Sequence, residues 1–266
     1  MINGSLYIKE MKKSVIMILI FGGILLMYVS IIIGMYDPEM MAALESFYGI
    51  MPELMASVGM TSGATTLIGF MVSYLYGFIL LIIPMLFCIL RGNGLIAKYT
   101  DNGSMAVLIS APVKRKTVVL TQLSVLLSGV IILVTYITCL ELSVCAVKFS
   151  GQLAAGELLK LNLALLFLHL FIAGICFFFS CLFSDTKYSI AFGAGVPAFM
   201  YILQMLANVG EKTEAAKYFT FFTLFDAEGI AANQAAAFGR SFILLAGAII
   251  LYIAGIIIFC KKDICL

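Results

Sequence analysis

The sequence is short of charge, has a single histidine and contains no tryptophan. Only 11% of its 266 residues are charged and 63% are hydrophobic, so a water-soluble domain would have to expose much of this apolar surface. The net charge of +2 is too small to indicate a nucleic-acid partner. Without tryptophan, tyrosine and phenylalanine are left to anchor the chain at a membrane surface. These shortages together predict a protein of the lipid bilayer.

The sequence also lacks the P-loop GxxxxGK[ST], in which backbone amides and a lysine hold the phosphates of ATP. Gly63 and Gly69 come nearest to its spacing, but five residues separate them and Phe70 follows instead of lysine. A catalytic site within the membrane would need clustered acids and histidines, and the long apolar runs contain one Glu and one His. We therefore expect no enzymatic activity from this chain alone and no cofactor bound to it.

The cysteines show no metal-binding pattern. They lie in or beside apolar runs, without CxxC spacing or histidine partners, at positions 88, 139, 145, 176, 181, 260 and 265. Cys139 and Cys145 are six residues apart and would face different sides of a helix. Packing as small buried residues is the expected role, and no metal site is predicted.

Six apolar runs are long enough to cross the membrane, for which about 20 helical residues are needed. They are residues 14–36, 67–90, 117–147, 161–184, 188–210 and 241–260. Their continuity excludes the alternation of barrel strands, and Glu141 is the only formal charge within them. The first run is longer than the core of a signal peptide and is kept as a span. The prediction is an all-α integral membrane protein with residues 1–266 as one transmembrane domain.

Orientation follows from the positive-inside rule, which counts Lys and Arg on the two sides of the membrane. Eleven of the sixteen cations fall on the side that holds both termini and the connection between spans two and three. The other side receives Lys148, Lys160, Lys212, Lys217 and Arg240. We therefore expect a multi-pass protein of the cell membrane with both termini in the cytoplasm.

The two outer connections are long and partly apolar. Residues 37–66 contain an apolar helical face, followed by the breaker Pro52 and formed by Met40, Met41, Leu44, Phe47 and Tyr48. A short helix at the outer interface is one interpretation, and a lid over a ligand is the other. Residues 211–240 carry YFTFFTLF but are interrupted by charges and Gly229. This pattern predicts a re-entrant segment before span six instead of a seventh crossing.

Residues 91–117, between spans two and three, form the largest cytoplasmic connection. Their middle predicts a short amphipathic helix, which begins with a capping side chain near Asp101 and ends at Pro112. The apolar face of that helix comprises Met105, Leu108 and Ile109. The helix can dock on a cytoplasmic partner, or it can lie on the inner leaflet with three cations on anionic headgroups, namely Lys114, Arg115 and Lys116.

Two polar residues within the spans are candidate path-lining residues, Glu141 in span three and His169 in span four. Counted from Lys148 and Lys160 at 1.5 Å per residue, they lie at similar depth on antiparallel neighbours and could pair. Glu141 can be a hydrogen-bonded structural residue, part of a substrate path or part of a proton relay. Small residues of span five are expected to permit close helix packing, namely Ala191, Gly193, Ala194, Gly195 and Ala198.

The connection between spans two and three and the N-terminal segment resemble those of the permease subunits of type-two ABC exporters. That family places an acidic residue, a glycine, an apolar helix and a Ser-x-Pro-Val-x-Arg-like stretch between spans two and three. The corresponding residues here are Asp101, Gly103, Leu108, Ile109, Ser110, Ala111, Pro112, Val113 and Arg115. LYIKEMKKS is similar to the family's amphipathic N-terminal elbow, with the basic-acidic-basic pattern Lys9, Glu10 and Lys12. MPELMASVGM, the phenylalanine-rich outer stretch and the terminal FCKKDI extend the resemblance over nearly the whole chain, although Gln122 stands where the family has a lysine.

The resemblance implies an ATP-driven exporter of a bacterial cell membrane, in which this chain forms the path with a second permease chain as a homo- or heterodimer. ATP and Mg would bind a separate ABC ATPase subunit. The cytoplasmic connection would be the coupling helix, with Asp101, Gly103, Met105, Leu108, Ile109, Pro112 and Arg115 as ATPase-coupling residues. Two alternatives stay open, a gradient-driven carrier that uses Glu141 and His169, and a non-transporting membrane scaffold or sensor.

Overall fold

The computed structural model describes residues 2–37, 49–60, 66–105, 108, 113–209 and 213–262, and this part of the chain contains helices but no strand. In chain order the helices are α1 (Gly4–Gly34), α2 (Pro52–Ser57), α3 (Leu67–Met71), a π-helix (Val72–Tyr76), α4 (Ile79–Gly94), α5 (Ala97–Asp101), α6 (Arg115–Lys148), α7 (Ala155–Leu182), α8 (Thr186–Asn208), two 3-10 helices (Glu214–Phe219 and Phe221–Leu224), α9 (Ala227–Ala231) and α10 (Ala235–Lys261).

Six helical stretches of the described chain are long and apolar enough to cross a membrane. Five of them are α1, α6, α7, α8 and α10, and the sixth combines α4 and α5 over Ile79–Asp101. Their number and order match the six apolar runs, which confirms an all-helical, multi-pass membrane protein. Several helices begin before the run does, since helical hydrogen bonding continues into polar residues that the hydropathy pattern excludes.

The second predicted span, residues 67–90, is not one continuous helix. α3 passes into the π-helix, and α4 begins only after Phe78 leaves helical geometry (φ −135°, ψ −64°). Gly77 lies at this break against the backbone of Gly59, which has a φ of +77°. A Cβ atom on Gly77 would lie 2.7 Å from the carbonyl oxygen of Val58. This contact between two backbones interrupts the helix and leaves no trace in the hydropathy pattern.

The N-terminal elbow is not confirmed as a separate element. α1 runs without interruption from Gly4 to Gly34, and the Asn3 side chain caps it by accepting a hydrogen bond from the Leu6 N–H (3.0 Å). LYIKEMKKS therefore forms the first turns of the same helix that contains span one.

Pro52 begins α2, and the helical residues 49–50 end at a bend at Met51 directly before it, so the chain breaks here as the sequence predicted. A proline fits the first helical turn because its missing N–H would have no partner there. The apolar face expected before it lies outside the described residues: Met40, Met41, Leu44, Phe47 and Tyr48.

α7 lies at the centre of the bundle and packs against α4, α6, α8 and α10. Its contact with α4 is close at Gly92, where an added Cβ atom would lie 2.5 Å from the Cβ of Cys176. α8 approaches α4 at Gly193, where an added Cβ atom would lie 2.4 Å from Oδ1 of Asn93. The Ser189 hydroxyl donates a hydrogen bond to the same Oδ1 (2.9 Å). Small residues therefore let these helices approach closely enough for polar contacts between them.

The packing role predicted for small residues of span five holds for one face of α8. Gly193 is buried, whereas Ala191 and Gly195 are exposed. A Cβ atom added at Gly195 would meet nothing within 4 Å. The spacing of small residues alone did not distinguish the face that packs within the chain from the face that points away from it.

The starts of α1, α6 and α8 and the ends of α5, α7 and α10 meet at one end of the bundle, which we call the basic end. Arg115 Nη1 donates to the carbonyl oxygen of Lys262 (2.9 Å), and Lys262 Nζ donates to that of Leu182 at the end of α7 (2.9 Å). A cation there satisfies a carbonyl that has no partner within its helix. Burial lowers the pKa of the Lys262 ammonium, and its contacts with the carbonyl oxygens of Cys181 and Leu182 compensate for part of its desolvation.

Residues 213–234 form the two 3-10 helices and α9, and no seventh membrane-length helix occurs in the described chain. Asp226 caps α9 by accepting from the Gly229 N–H (2.9 Å) and pairs with Arg240 (2.7 Å). Three apolar side chains of this stretch are buried: Phe222, Phe225 and Ile230. The middle of the stretch is thus sheltered by protein, whereas Tyr218 and Phe219 are exposed. Asp226 within it serves as a helix cap and as an ion-pair partner.

Candidate functional site

Glu141 of α6 is fully buried and forms a cluster with residues from two other elements. Its Oε2 accepts a hydrogen bond from Nδ2 of Asn162 on α7 (2.6 Å) and lies 2.9 Å from the hydroxyl of Tyr76 on the π-helix. The same hydroxyl lies 3.0 Å from Oδ1 of Asn162, and its single proton can serve one of these two oxygens at a time. Oε1 of Glu141 has no partner among the described residues. We call these three residues the Glu141 cluster.

The π-helix places Tyr76 between Glu141 and Asn162 on one side and, on the other, a cavity at the end opposite the basic end. Turns of π-helix are frequent at functional positions, because the extra residue redirects the side chains that follow. The cavity has a volume of about 390 Å³, and polar side chains line it together with Tyr76: Gln204, Asn208, Asp226 and Glu228. Glu141 does not line it. A ligand in the cavity would therefore contact Tyr76, and Glu141 only through that hydroxyl.

His169 does not pair with Glu141, contrary to the depth argument from the sequence. Its Nδ1 lies 2.9 Å from the carbonyl oxygen of Leu165, and its Nε2 lies 3.2 Å from that of Leu81 on α4. The depth argument counted from Lys160, but α7 begins at Ala155. His169 is consequently about two helical turns deeper than Glu141, and Asn162 occupies the matching level.

The two carbonyl contacts give His169 a packing role between α7 and α4. A neutral imidazole has one N–H and can donate to one of these carbonyls, whereas an imidazolium donates to both. The residue is fully buried, so neither contact can be replaced by water without opening the interface between the two helices.

Replacing Glu141 with alanine is expected to destabilise the protein by about 3 kcal/mol, whereas Glu141→Gln should stay within about 1 kcal/mol. Alanine removes the acceptor shared by Asn162 and Tyr76 and leaves a cavity, while glutamine keeps one carbonyl acceptor at that position. Thermal unfolding in detergent, followed by circular dichroism, measures the difference. Equal melting temperatures for the two variants would contradict a structural role of this acceptor.

One predicted coupling residue, Met105, is not exposed as the sequence led us to expect. Met105 was expected on an apolar face that is available to a partner, but its side chain is fully buried within the chain's own core. Leu108 is half-buried and packs against the same core. Ile109 and Pro112 lie outside the described residues. The apolar residues that periodicity placed on one outward face therefore serve in part to fasten the connection to the spans.

The other three coupling residues lie at turns and helix ends. Asp101 is the last residue of α5, and Gly103 follows with a φ of +73°, a conformation that favours glycine. Arg115 begins α6 and contacts the end of α10 through the carbonyl oxygen of Lys262. The structure brings Asp101 and Gly103 into one turn, while Arg115 belongs to a different contact at the basic end.

A second polar cluster, at the basic end, was missed from the sequence. Glu10 is buried, and its carboxylate accepts from Lys13 (2.8 Å), from the Tyr99 hydroxyl (2.5 Å) and from Arg91 Nη2 (3.3 Å). Arg91 Nη2 also donates to the Glu10 carbonyl oxygen (3.1 Å). A partial signal existed, because Glu10 is the only acid in the first 36 residues and Arg91 directly follows an apolar run. We call these four residues the Glu10 cluster.

Within the described ranges, no group of three or more His, Cys, Asp or Glu residues is placed to hold a metal ion. The six described cysteines are free, and four of them are buried: Cys88, Cys145, Cys176 and Cys181. Comparison of the chain with protein-family models, curated proteins and solved structures finds no match. The function must therefore be inferred from the residues and their geometry.

Proposed function

We propose that the chain is the membrane-spanning subunit of an ATP-driven exporter of the type-two ABC class. A dimer of this chain, or of this chain with a related one, would form the translocation path, and separate subunits would bind ATP and Mg. The basic end and both termini would face the cytoplasm of a bacterial cell. In this assignment LYIKEMKKS acts as the elbow, and residues 211–240 contain the re-entrant segment.

The observation that carries the proposal is the attachment of the connection between α4 and α6, which includes α5, to the spans. At its start, the backbone N–H of Ala97 donates to Oγ of Ser180 on α7 (3.0 Å). In its middle Met105 is buried, and at its end Arg115 holds the last turn of α10. A displacement of this connection by an ATPase would move the helices it is attached to, whereas a loose loop would absorb the displacement.

A gradient-driven carrier is the second candidate, because Glu141 is a buried acid and one of its carboxylate oxygens has no partner among the described residues. A relay from Glu141 directly to His169 is not supported, since each side chain has its own partners on other residues. ATP hydrolysis that depends on this chain separates the exporter from the carrier and from a non-transporting scaffold. Loss of transport in Glu141→Gln, with ATP hydrolysis retained, would assign Glu141 to the substrate path.

Ile109→Asp is expected to abolish the association with the ATPase, because it would place a charge in the proposed apolar contact between the two subunits. The amount of ATPase subunit recovered with the tagged chain should fall at least about tenfold. The tagged chain is purified from membranes in mild detergent. Mass spectrometry then measures the stoichiometry of a P-loop ATPase, and the recovered complex is assayed for ATP hydrolysis.

Gln152→Asp provides the matched control, because Gln152 is exposed in the turn between α6 and α7 at the opposite end. This variant should retain the ATPase. Met105→Asp is unsuitable, since a buried aspartate would unfold the connection itself. A monodisperse wild-type chain that recovers no ATPase, or an Ile109→Asp variant that recovers as much as Gln152→Asp, would contradict the proposal.

A further inference from the structure

A cavity of about 750 Å³ opens at the basic end, lined by α1, by the junction of α4 and α5, and by the start of α8. This volume lies in the range of pockets that bind small molecules. Six charged side chains line it, four of them cationic: Lys9, Glu10, Lys13, Arg91, Lys98 and Asp101. Four apolar side chains line it as well: Met17, Ile89, Leu90 and Ile190.

The two acids in the cavity wall, Glu10 and Asp101, balance only two of its four cations. The Glu10 carboxylate is occupied by the Glu10 cluster and is buried. Arg91 is 7% exposed and uses Nη2 for Glu10, while its buried Nε has no partner among the described residues. Lys9 and Lys98 are exposed at the rim. The cavity thus offers an excess of positive charge beside an apolar wall.

We propose that this cavity binds an anionic phospholipid. Its phosphate would lie among Lys9, Lys98 and Arg91, and an acyl chain would follow the apolar wall of α1, α4 and α8. Basic pockets between membrane helices at the cytoplasmic surface suit anionic headgroups, because each nearby cation contributes to the attraction. A soluble anion would leave the apolar wall unused, and a neutral lipid would leave the cations unused. This inference holds whether or not the chain couples to an ATPase.

The test uses the full-length chain, freed of lipid in detergent and then supplied with phosphatidylglycerol or phosphatidylcholine. Phosphatidylglycerol should raise the melting temperature, and native mass spectrometry should show that it is retained in preference to phosphatidylcholine. The Lys9→Gln/Lys98→Gln double variant should bind phosphatidylglycerol at least about tenfold more weakly, since two rim cations are lost. Neither lysine is part of the core, so this variant should fold.

Lys12→Gln is the matched control, because Lys12 is exposed on α1 but does not line the cavity. It should retain wild-type binding. Equal weakening by Lys12→Gln, or no weakening in the double variant, would overturn the site. Stabilisation by inorganic phosphate without lipid, as large as that by phosphatidylglycerol, would overturn the lipid assignment. A lipid-free dimer that the double variant dissociates would assign the cavity to a second copy of the chain.

Discussion

Gly92→Ala is expected to destabilise the protein by about 3 kcal/mol, whereas Gly94→Ala should be neutral or slightly stabilising. The added methyl group at Gly92 would lie 2.5 Å from the Cβ of Cys176, so α4 and α7 would have to separate. At Gly94 the methyl group would meet nothing within 4 Å. Thermal unfolding in detergent, followed by circular dichroism, measures both variants. Similar melting temperatures would show that α4 and α7 do not approach as closely as described.

The same comparison can be repeated on α8 with Gly193→Ala and Gly195→Ala. The first should destabilise, because its methyl group would displace the Asn93 side chain from the hydrogen bond with Ser189. The second should gain up to about 1 kcal/mol from the better helix propensity of alanine at an open position. Helix propensity alone would change the free energy of unfolding in the same direction for both variants. Equal changes for Gly193→Ala and Gly195→Ala would therefore contradict the close contact at Gly193.

Arg91→Met is expected to destabilise the protein by about 3 kcal/mol or more, because it leaves the buried Glu10 carboxylate without its least exposed counter-charge. Lys13 remains, but its side chain is 52% exposed and its charge is screened by water. The free energy of unfolding is measured in detergent without added anionic lipid, so that ligand binding does not contribute to the result.

Lys98→Met is the control for Arg91→Met, since Lys98 is an exposed cation on the neighbouring helix and should change stability by no more than about 0.5 kcal/mol. The double variant Glu10→Gln/Arg91→Met should be more stable than Arg91→Met alone, because the buried charge is removed together with its partner. A single-variant loss below about 1 kcal/mol, or additive losses in the double variant, would refute the structural role of the Glu10 cluster.

The runs without charge predicted the membrane spans, but they did not predict which polar side chains of different spans would contact one another. Tyr76 and Asn162 carry no formal charge, so nothing in their pattern marked them as partners of Glu141. His169 was placed too near Glu141 because the start of α7 was taken from a lysine instead of from helix geometry. Met105 was assigned outward because periodicity identifies one apolar face and does not say what covers it.

The sequence by itself determined the class of the protein, because an uncharged run of about 20 residues has few alternatives to a membrane helix. It determined the number and order of the six membrane-length helices and the unequal distribution of lysine and arginine between the two ends of the bundle. Tertiary structure decided the rest, since contacts between distant residues depend on how closely helices approach. Such contacts produce the break at Gly77, the Glu141 cluster, the Glu10 cluster and the cavity at the basic end. A pattern along one helix does not contain them.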